Sequence, residues 1–182
     1  MKVTETGLKD CFLIEPQIFG DERGYFFESF NQTVFTEKTG LTVDFVQDNQ
    51  SKSDRGVLRG LHFQKGEYAQ AKLVRVIKGK VLDVAVDLRK DSESYGKIYS
   101  IVLSGENKKQ LFIPRGFAHG FSVLEDDTIF MYKCDNYYNK ASEGGIIYND
   151  PELNIDWMLG QDEIRLSEKD SVLPNFSSLT HG

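Results

Sequence analysis

The sequence predicts an all-β sandwich or barrel. Three observations carry that reading. Sixteen glycines and four prolines cut the chain into short segments. Turn signals recur about every ten residues, the spacing typical of sandwiches and barrels. Leu82-Asp83-Val84-Ala85-Val86-Asp87-Leu88-Arg89 alternates, with Leu82, Val84, Val86 and Leu88 on one face and mostly polar partners opposite.

The elements follow in order. Strands are predicted at 11–15, 24–30 and 43–49, with one short helix over 31–39. A strand at 57–63 precedes Lys72-Leu73-Val74-Arg75-Val76-Ile77, and Lys78-Gly79-Lys80 turns that strand tightly into 82–89. Further strands are predicted at 97–103, 110–113, 120–124 and 128–134. Segment 152–159 and a turn near Ser167-Glu168-Lys169-Asp170 are expected to pack outside the barrel. Residues 177–182 read as a frayed tail. No repeat, low-complexity tract or linker divides the chain, so residues 1–182 are expected to form a single domain.

Composition narrows the function classes. A chain of 182 residues buries enough surface to need neither disulfide nor metal for its core. Hydrophobic residues at 40% and charged residues at 27% exclude collagen, coiled coil and disorder. The net charge of −6 argues against wrapping a nucleic acid, although a small pocket can still be basic. Cys11 and Cys134 show no CxxC spacing, which disfavours a zinc ribbon or a disulfide scaffold. Free, buried thiols in a reducing compartment are expected instead. The start, Met1-Lys2-Val3-Thr4-Glu5-Thr6, lacks a signal peptide's apolar stretch, and no run approaches the ~18 apolar residues of a membrane span. A soluble cytoplasmic protein without a membrane partner is expected.

The histidines are His62, His119 and His181, the last in the tail. No HxH pair exists, so no metal site is expected, although two histidines and one carboxylate leave a facial triad open. His62 lies in Gly56-Val57-Leu58-Arg59-Gly60-Leu61-His62-Phe63-Gln64. Strict alternation puts Arg59 and His62 on opposite faces. A bulge at Gly60 would turn both into one cavity; the alternative is an outward Arg59 and an inward, hydrogen-bonded His62. Lys72 shares a face with Val74 and Val76, so it either points into the barrel or sits at an exposed strand end.

The segment 56–64 resembles the signature of the dTDP-4-dehydrorhamnose 3,5-epimerase family. Matches continue at Phe19-Gly20-Asp21-Glu22-Arg23-Gly24-Tyr25-Phe26-Phe27-Glu28, Val46-Gln47-Asp48-Asn49 and Gln70-Ala71-Lys72-Leu73-Val74-Arg75-Val76. They extend through Val84-Ala85-Val86-Asp87-Leu88-Arg89, Phe112-Ile113-Pro114-Arg115-Gly116-Phe117-Ala118-His119-Gly120-Phe121, Tyr132-Lys133-Cys134, Asn149-Asp150-Pro151 and Leu166-Ser167-Glu168-Lys169-Asp170. The resemblance implies a cupin jelly roll with a few short peripheral helices. It also implies a homodimer that exchanges N-terminal strands, a dTDP-linked 4-keto-6-deoxyhexose as substrate, and no metal or organic cofactor.

The resemblance assigns roles as well. His62 is the implied base, oriented by Asp170; an imidazole's ordinary pKa of about 6.5 suits that task. Lys72 lies near the keto oxygen, and Tyr132 is the proton donor. Arg23, Arg59 and Lys169 match positions for the diphosphate. Glu28, Gln47, Asn49, His119 and Glu143 match other substrate-contacting positions. Phe26 is an apolar or stacking contact, and Tyr138 is placed near the sugar. Gln50 stands where many relatives have His, and Tyr148 where they often have Trp. Rivals are a single-carbon epimerase, a 3,4-ketoisomerase and a cupin that only binds sugar nucleotides.

Overall fold

The structure, a computed structural model, describes residues 1–179. Its strands are β1 (Lys2–Glu5), β2 (Phe12–Glu15), β3 (Phe19–Asp21), β4 (Gly24–Phe26), β5 (Gln47–Ser53), β6 (Leu58–Gln64) and β7 (Lys72–Lys78). They continue with β8 (Lys80–Asp87), β9 (Ile98–Ser104), β10 (Gln110–Ile113), β11 (Phe117–Val123), β12 (Thr128–Cys134) and β13 (Glu143–Gly145). One helix, α1 (Gln32–Thr39), lies between β4 and β5.

Two sheets face each other. One runs β1-β2-β10-β7-β12-β5, the other β13-β6-β11-β8-β9. From β5 onward the chain crosses repeatedly between sheets, in the jelly-roll manner expected. Val74, Val76, Leu111, Ile113 and Phe130 meet Val81, Ala85, Phe117, Phe121 and Val123 between the layers. This apolar packing closes one part of the sandwich and leaves the part near His62 as a cavity.

Both outer faces are covered too. Leu58, Leu82, Val84, Val86 and Ala118 face outward and are sealed by Leu153, Trp157 and Phe176 from the C-terminal segment. The alternation in β8 therefore groups its residues correctly, but its polar face is not solvent. Asp83 and Asp87 are fully buried beside Val81 and Ala85. Phe12, Leu73 and Phe112 bury Phe35 of α1 on the opposite outer face. Asn31 caps that helix by accepting from the Val34 N–H at 3.1 Å, and Gly40 ends it at φ 73°.

Some expected boundaries move. The strand expected at 43–49 forms instead at Gln47–Ser53. Val43 is buried in the cluster around Phe35, with Phe45 packed against it, while the polar residues that follow pair with β12. Apolar content marked burial there, not pairing. The strand expected at 24–30 ends at Phe26, because it forms a short ribbon with β3 alone. β1, β3 and β13 were not expected; each has three or four residues and none has a clear alternation. Segment 152–159 packs outside the barrel as expected. Asp150 holds its start by accepting from the Leu153 and Phe176 N–H groups at 3.1 and 2.7 Å. The expected tail shortens: Phe176–Leu179 form a 3-10 turn, whereas 180–182, with His181, lie outside the described residues. Cys11 and Cys134 are free and buried, and burial pushes their thiols up to about 12 and about 11.

The end of β8 carries an acid-sensitive tie. Arg89 donates to Asp87 from Nε at 2.9 Å and Nη2 at 2.8 Å, while Ser92 and Ser94 donate at 2.7 and 2.6 Å. Burial would raise the Asp87 carboxyl, but these donors outweigh it and push the pKa down to about 2. An unfolded Asp ionises near about 3.9. The folded value is the lower one, so the stabilisation is complete above about 3.9 and fades as pH falls toward 2. It amounts to about 2–3 kcal/mol. The urea midpoint should therefore drop between about pH 4 and pH 2, and Asp87→Asn should flatten that drop. An identical acid profile in the variant would contradict this assignment.

Candidate active site

The cavity measures about 590 Å³ and opens between the two sheets. A connected lobe of about 270 Å³ shares Asn49, His62, Lys72 and Tyr132 with it. Its geometry begins at β6. Opposite β11, His62 pairs with His119 and Arg59 with Phe121, so β6 spends three steps where β11 spends two. The extra residue is a bulge at Gly60, φ 113°. A Cβ on Gly60 would lie 2.7 Å from the Gly120 Cα and the His119 carbonyl. Glycine is required there by backbone approach and by φ alike. The bulge does what the sequence allowed: Arg59 and His62 line the same cavity.

Asp170 reaches His62 from the C-terminal segment, with Oδ1 2.6 Å from Nε2. Its N–H donates to Ser167 Oγ at 3.1 Å, and Oδ2 accepts from the Gly60 N–H at 3.4 Å. Burial would raise this carboxyl; the bonds from His62 and Gly60 outweigh it and hold the group below its usual range. An ionised Asp170 therefore accepts the Nε2 proton and leaves Nδ1 of His62 with a free lone pair.

The other sheet supplies Lys72 and Tyr132. Lys72 points inward with Val74 and Val76, its Nζ 5.8 Å from the Tyr132 ring centroid. Burial pushes the Lys72 ammonium below its ordinary pKa, opposed by Cys134, Asp83 and Glu143. Burial pushes the Tyr132 phenol up, so it stays protonated through the neutral range. His119 is buried beside them, its Nε2 2.9 Å from Asp83 Oδ2, and burial drives its imidazole down.

A polar rim surrounds this centre. Gln47 donates to Asn49 Oδ1 at 3.1 Å and accepts from the Tyr138 N–H at 3.2 Å. Tyr138 donates its hydroxyl to Glu143 at 3.1 Å, and Lys169 pairs with the same carboxylate. Burial would raise Glu143, but Lys169 and Tyr138 hold it below its ordinary value. Arg59 donates to Ser53 Oγ at 3.2 Å.

Eleven of the expected site residues thus line the cavity or its lobe: His62, Tyr132, Asp170, Lys72, Asn49, Arg59, His119, Lys169, Gln47, Tyr138 and Glu143. Arg23, Phe26 and Glu28 do not. Arg23 pairs with Asp21 inside the β3–β4 ribbon, Phe26 is 69% exposed on it, and Glu28 accepts from Asn31 at 3.1 Å. The sequence reading missed Asp83, Ser51 and Arg165. Ser51 was within reach, since period two from Gln47 and Asn49 puts it on the same face. Among the described residues, no three His, Cys, Asp or Glu side chains converge on a metal position.

Comparison with known proteins places the chain in a family. The profile of dTDP-4-dehydrorhamnose 3,5-epimerase matches residues 5–178. The enzyme of that name from Shigella flexneri is 55% identical over 170 residues, 93% of either chain. The crystal structure of the Elizabethkingia anophelis enzyme superimposes with a TM-score of 0.95 at 58% identity, covering 98% of this chain and 97% of that one. The Legionella pneumophila 3,5-epimerase, solved with dTDP-4-keto-L-rhamnose, gives a TM-score of 0.92 at 48% identity, covering 98% and 96%. With a profile match over nearly its whole length, a shared fold and half its residues in common with these enzymes, the chain belongs to the dTDP-4-dehydrorhamnose 3,5-epimerase family.

Proposed function

We propose that this cavity converts dTDP-4-dehydro-6-deoxy-D-glucose into dTDP-4-dehydro-L-rhamnose by inverting both C3 and C5. The observation that carries the reading is the opposition of two proton-handling groups. His62, tied to Asp170, comes from one sheet, and Tyr132 comes from the other into the same cavity. His62 Nδ1 takes the proton from a carbon next to the C4 ketone, and the electron pair moves onto the keto oxygen. Lys72 stabilises the resulting enolate charge. Tyr132 returns a proton to the opposite face, inverting the carbon. Asn49, Gln47, Tyr138 and Glu143 hold the substrate at the rim, and Arg59 and Lys169 supply cations for its diphosphate. His119, fixed by Asp83, presents its ring to the same cavity.

Arg23, Phe26 and Glu28 enter this scheme through a second copy. The β3–β4 ribbon pairs with neither sheet, and Phe19 is 56%, Tyr25 60% and Phe26 69% exposed. Exposed aromatics on a bare two-stranded ribbon need a partner surface. A homodimer that exchanges its N-terminal strands would place the ribbon at the neighbouring cavity. Sedimentation should give a dimer at micromolar concentration, and Phe26→Ala should weaken both dimerisation and substrate affinity. A fully active monomer would remove these three residues from the site. The two buried free thiols fit a reducing compartment, the cytoplasm.

The test is product stereochemistry. NMR of the sugar after incubation should show inversion at both carbons, in untreated enzyme and after chelation. Inversion at one carbon, or a 3-keto product, would overturn the assignment.

A further inference from the structure

The side chains of two cations lining the cavity, Lys72 and Arg165, make no ion pair or hydrogen bond among the described residues, and Lys72 is already assigned to the keto oxygen. Lys169 is paired with Glu143, and Arg59 donates to Ser53. Arg165 lines the same cavity, yet its guanidinium makes no ion pair or hydrogen bond among the described residues. It was not singled out by the sequence, because nothing in Glu163-Ile164-Arg165-Leu166 distinguishes it from a solvated surface arginine.

Its placement is nevertheless fixed. The Arg165 N–H donates to the Gly56 carbonyl at 2.8 Å, and its carbonyl accepts from the Leu58 N–H at 3.0 Å. These bonds bracket a parallel bridge between Val57 and Arg165, one residue before β6 begins. Ile164 and Leu166 on either side pack into the outer apolar cluster, so alternation turns Arg165 the other way, toward the cavity. Gly56, at φ 93°, allows the approach: a Cβ there would sit 2.4 Å from the Glu163 carbonyl and 3.6 Å from Arg165 Nε. The same segment carries Asp170 to His62. The exposed Arg165 guanidinium lines the same cavity as Arg59 and is free to meet an anion there.

We propose that Arg165 is a further diphosphate-contacting residue, acting with Arg59 to grip the nucleotide from the C-terminal side of the cavity. The assignment rests on the nucleotide-sugar reading above. A guanidinium offers two parallel N–H groups to phosphate oxygens, which an ammonium cannot reproduce.

The test compares Arg165→Gln, Arg165→Lys and Arg55→Gln. Arg55 holds the same segment through Glu163 but does not line the cavity, so its variant reports loosening of the segment alone. Arg165→Gln should weaken dTDP about tenfold by calorimetry, as expected for a lost charge-assisted contact, and raise KM alike. Its kcat and its NMR-measured affinity for thymidine should stay at wild type, with Arg165→Lys intermediate and Arg55→Gln unchanged. Full dTDP affinity in Arg165→Gln would overturn the proposal while leaving the functional reading intact. Equal losses for thymidine and dTDP, or the same loss in Arg55→Gln, would overturn it in favour of a structural role. A wild-type protein that binds no dTDP would overturn the functional reading and this proposal with it.

Discussion

His62→Ala is expected to lose the chemical step by about 10²–10⁴-fold in kcat while keeping its affinity for dTDP. His62 lines the cavity with its Nε2 held by Asp170; His119, the other histidine lining it among the described residues, is buried with its Nε2 tied to Asp83. The diphosphate is assigned above to Arg59, Lys169 and Arg165, and none of these is a hydrogen-bond or ion-pair partner of His62 among the described residues. The substitution removes a half-exposed ring at the cavity wall, so the fold should survive, and circular dichroism with a dTDP titration would show that it has. Asp170→Asn should give a smaller loss of the same kind, since an amide can hold the ring but no longer favours the Nε2–H form as strongly. Near-wild-type turnover in folded His62→Ala would remove the base assignment.

Lys72→Met should cost about 10²–10³-fold in kcat, the usual loss when one donor to a developing oxyanion is removed. Methionine keeps the length and apolar stem of lysine without its charge, so the inward packing with Val74 and Val76 is retained. Burial lowers the pKa of this ammonium, and Cys134, Asp83 and Glu143 oppose that shift. Its folded pKa is the lowered one. Turnover of the wild type should therefore decline, as pH rises, before an ordinary lysine near about 10.4 would lose its proton. The residual activity of Lys72→Met should lack that alkaline decline. A variant with unchanged kcat, or with the same alkaline limb, would place the enolate charge on another group.

Much of this was legible from residue order. The antiparallel strands at 110–113 and 128–134 carry the apolar pattern of a buried sheet and end where expected. The hairpin at Gly79 follows from a glycine at φ 80° between two alternating runs. The face shared with Val74 and Val76 left Lys72 either inward or at an exposed strand end, and the structure has it lining the cavity. What the sequence hid was whatever depends on a layer added later by the chain. The polar side of β8 reads as a solvent face until the opposite sheet, with Val74, Val76 and Phe130, is seen to cover it, so Asp83 looked ordinary. The polar strand Gln47–Ser53 has no apolar alternation because Asn49 and Ser51 on it line the cavity. Asp170 is an acid in a short turn until the fold carries it to His62. Only the family resemblance named it. Arg23, Phe26 and Glu28 show the converse: motif matching assigns them to the site, and a single copy of the chain does not bring them there.

The central claim is that one base and one facing acid exchange protons at two carbons of the same sugar. With His62 fixed by Asp170, the hexose must re-seat or flip its ring between steps so that C3 and C5 each present a hydrogen to Nδ1. The phenolic proton of Tyr132 equilibrates with water, so each new C–H bond carries a solvent hydrogen. NMR of dTDP-4-dehydro-6-deoxy-D-glucose incubated with the enzyme in D₂O measures this directly. The account predicts deuterium at both C3 and C5, and none at either in His62→Ala. Label at a single carbon, or undiminished exchange without His62, would contradict it.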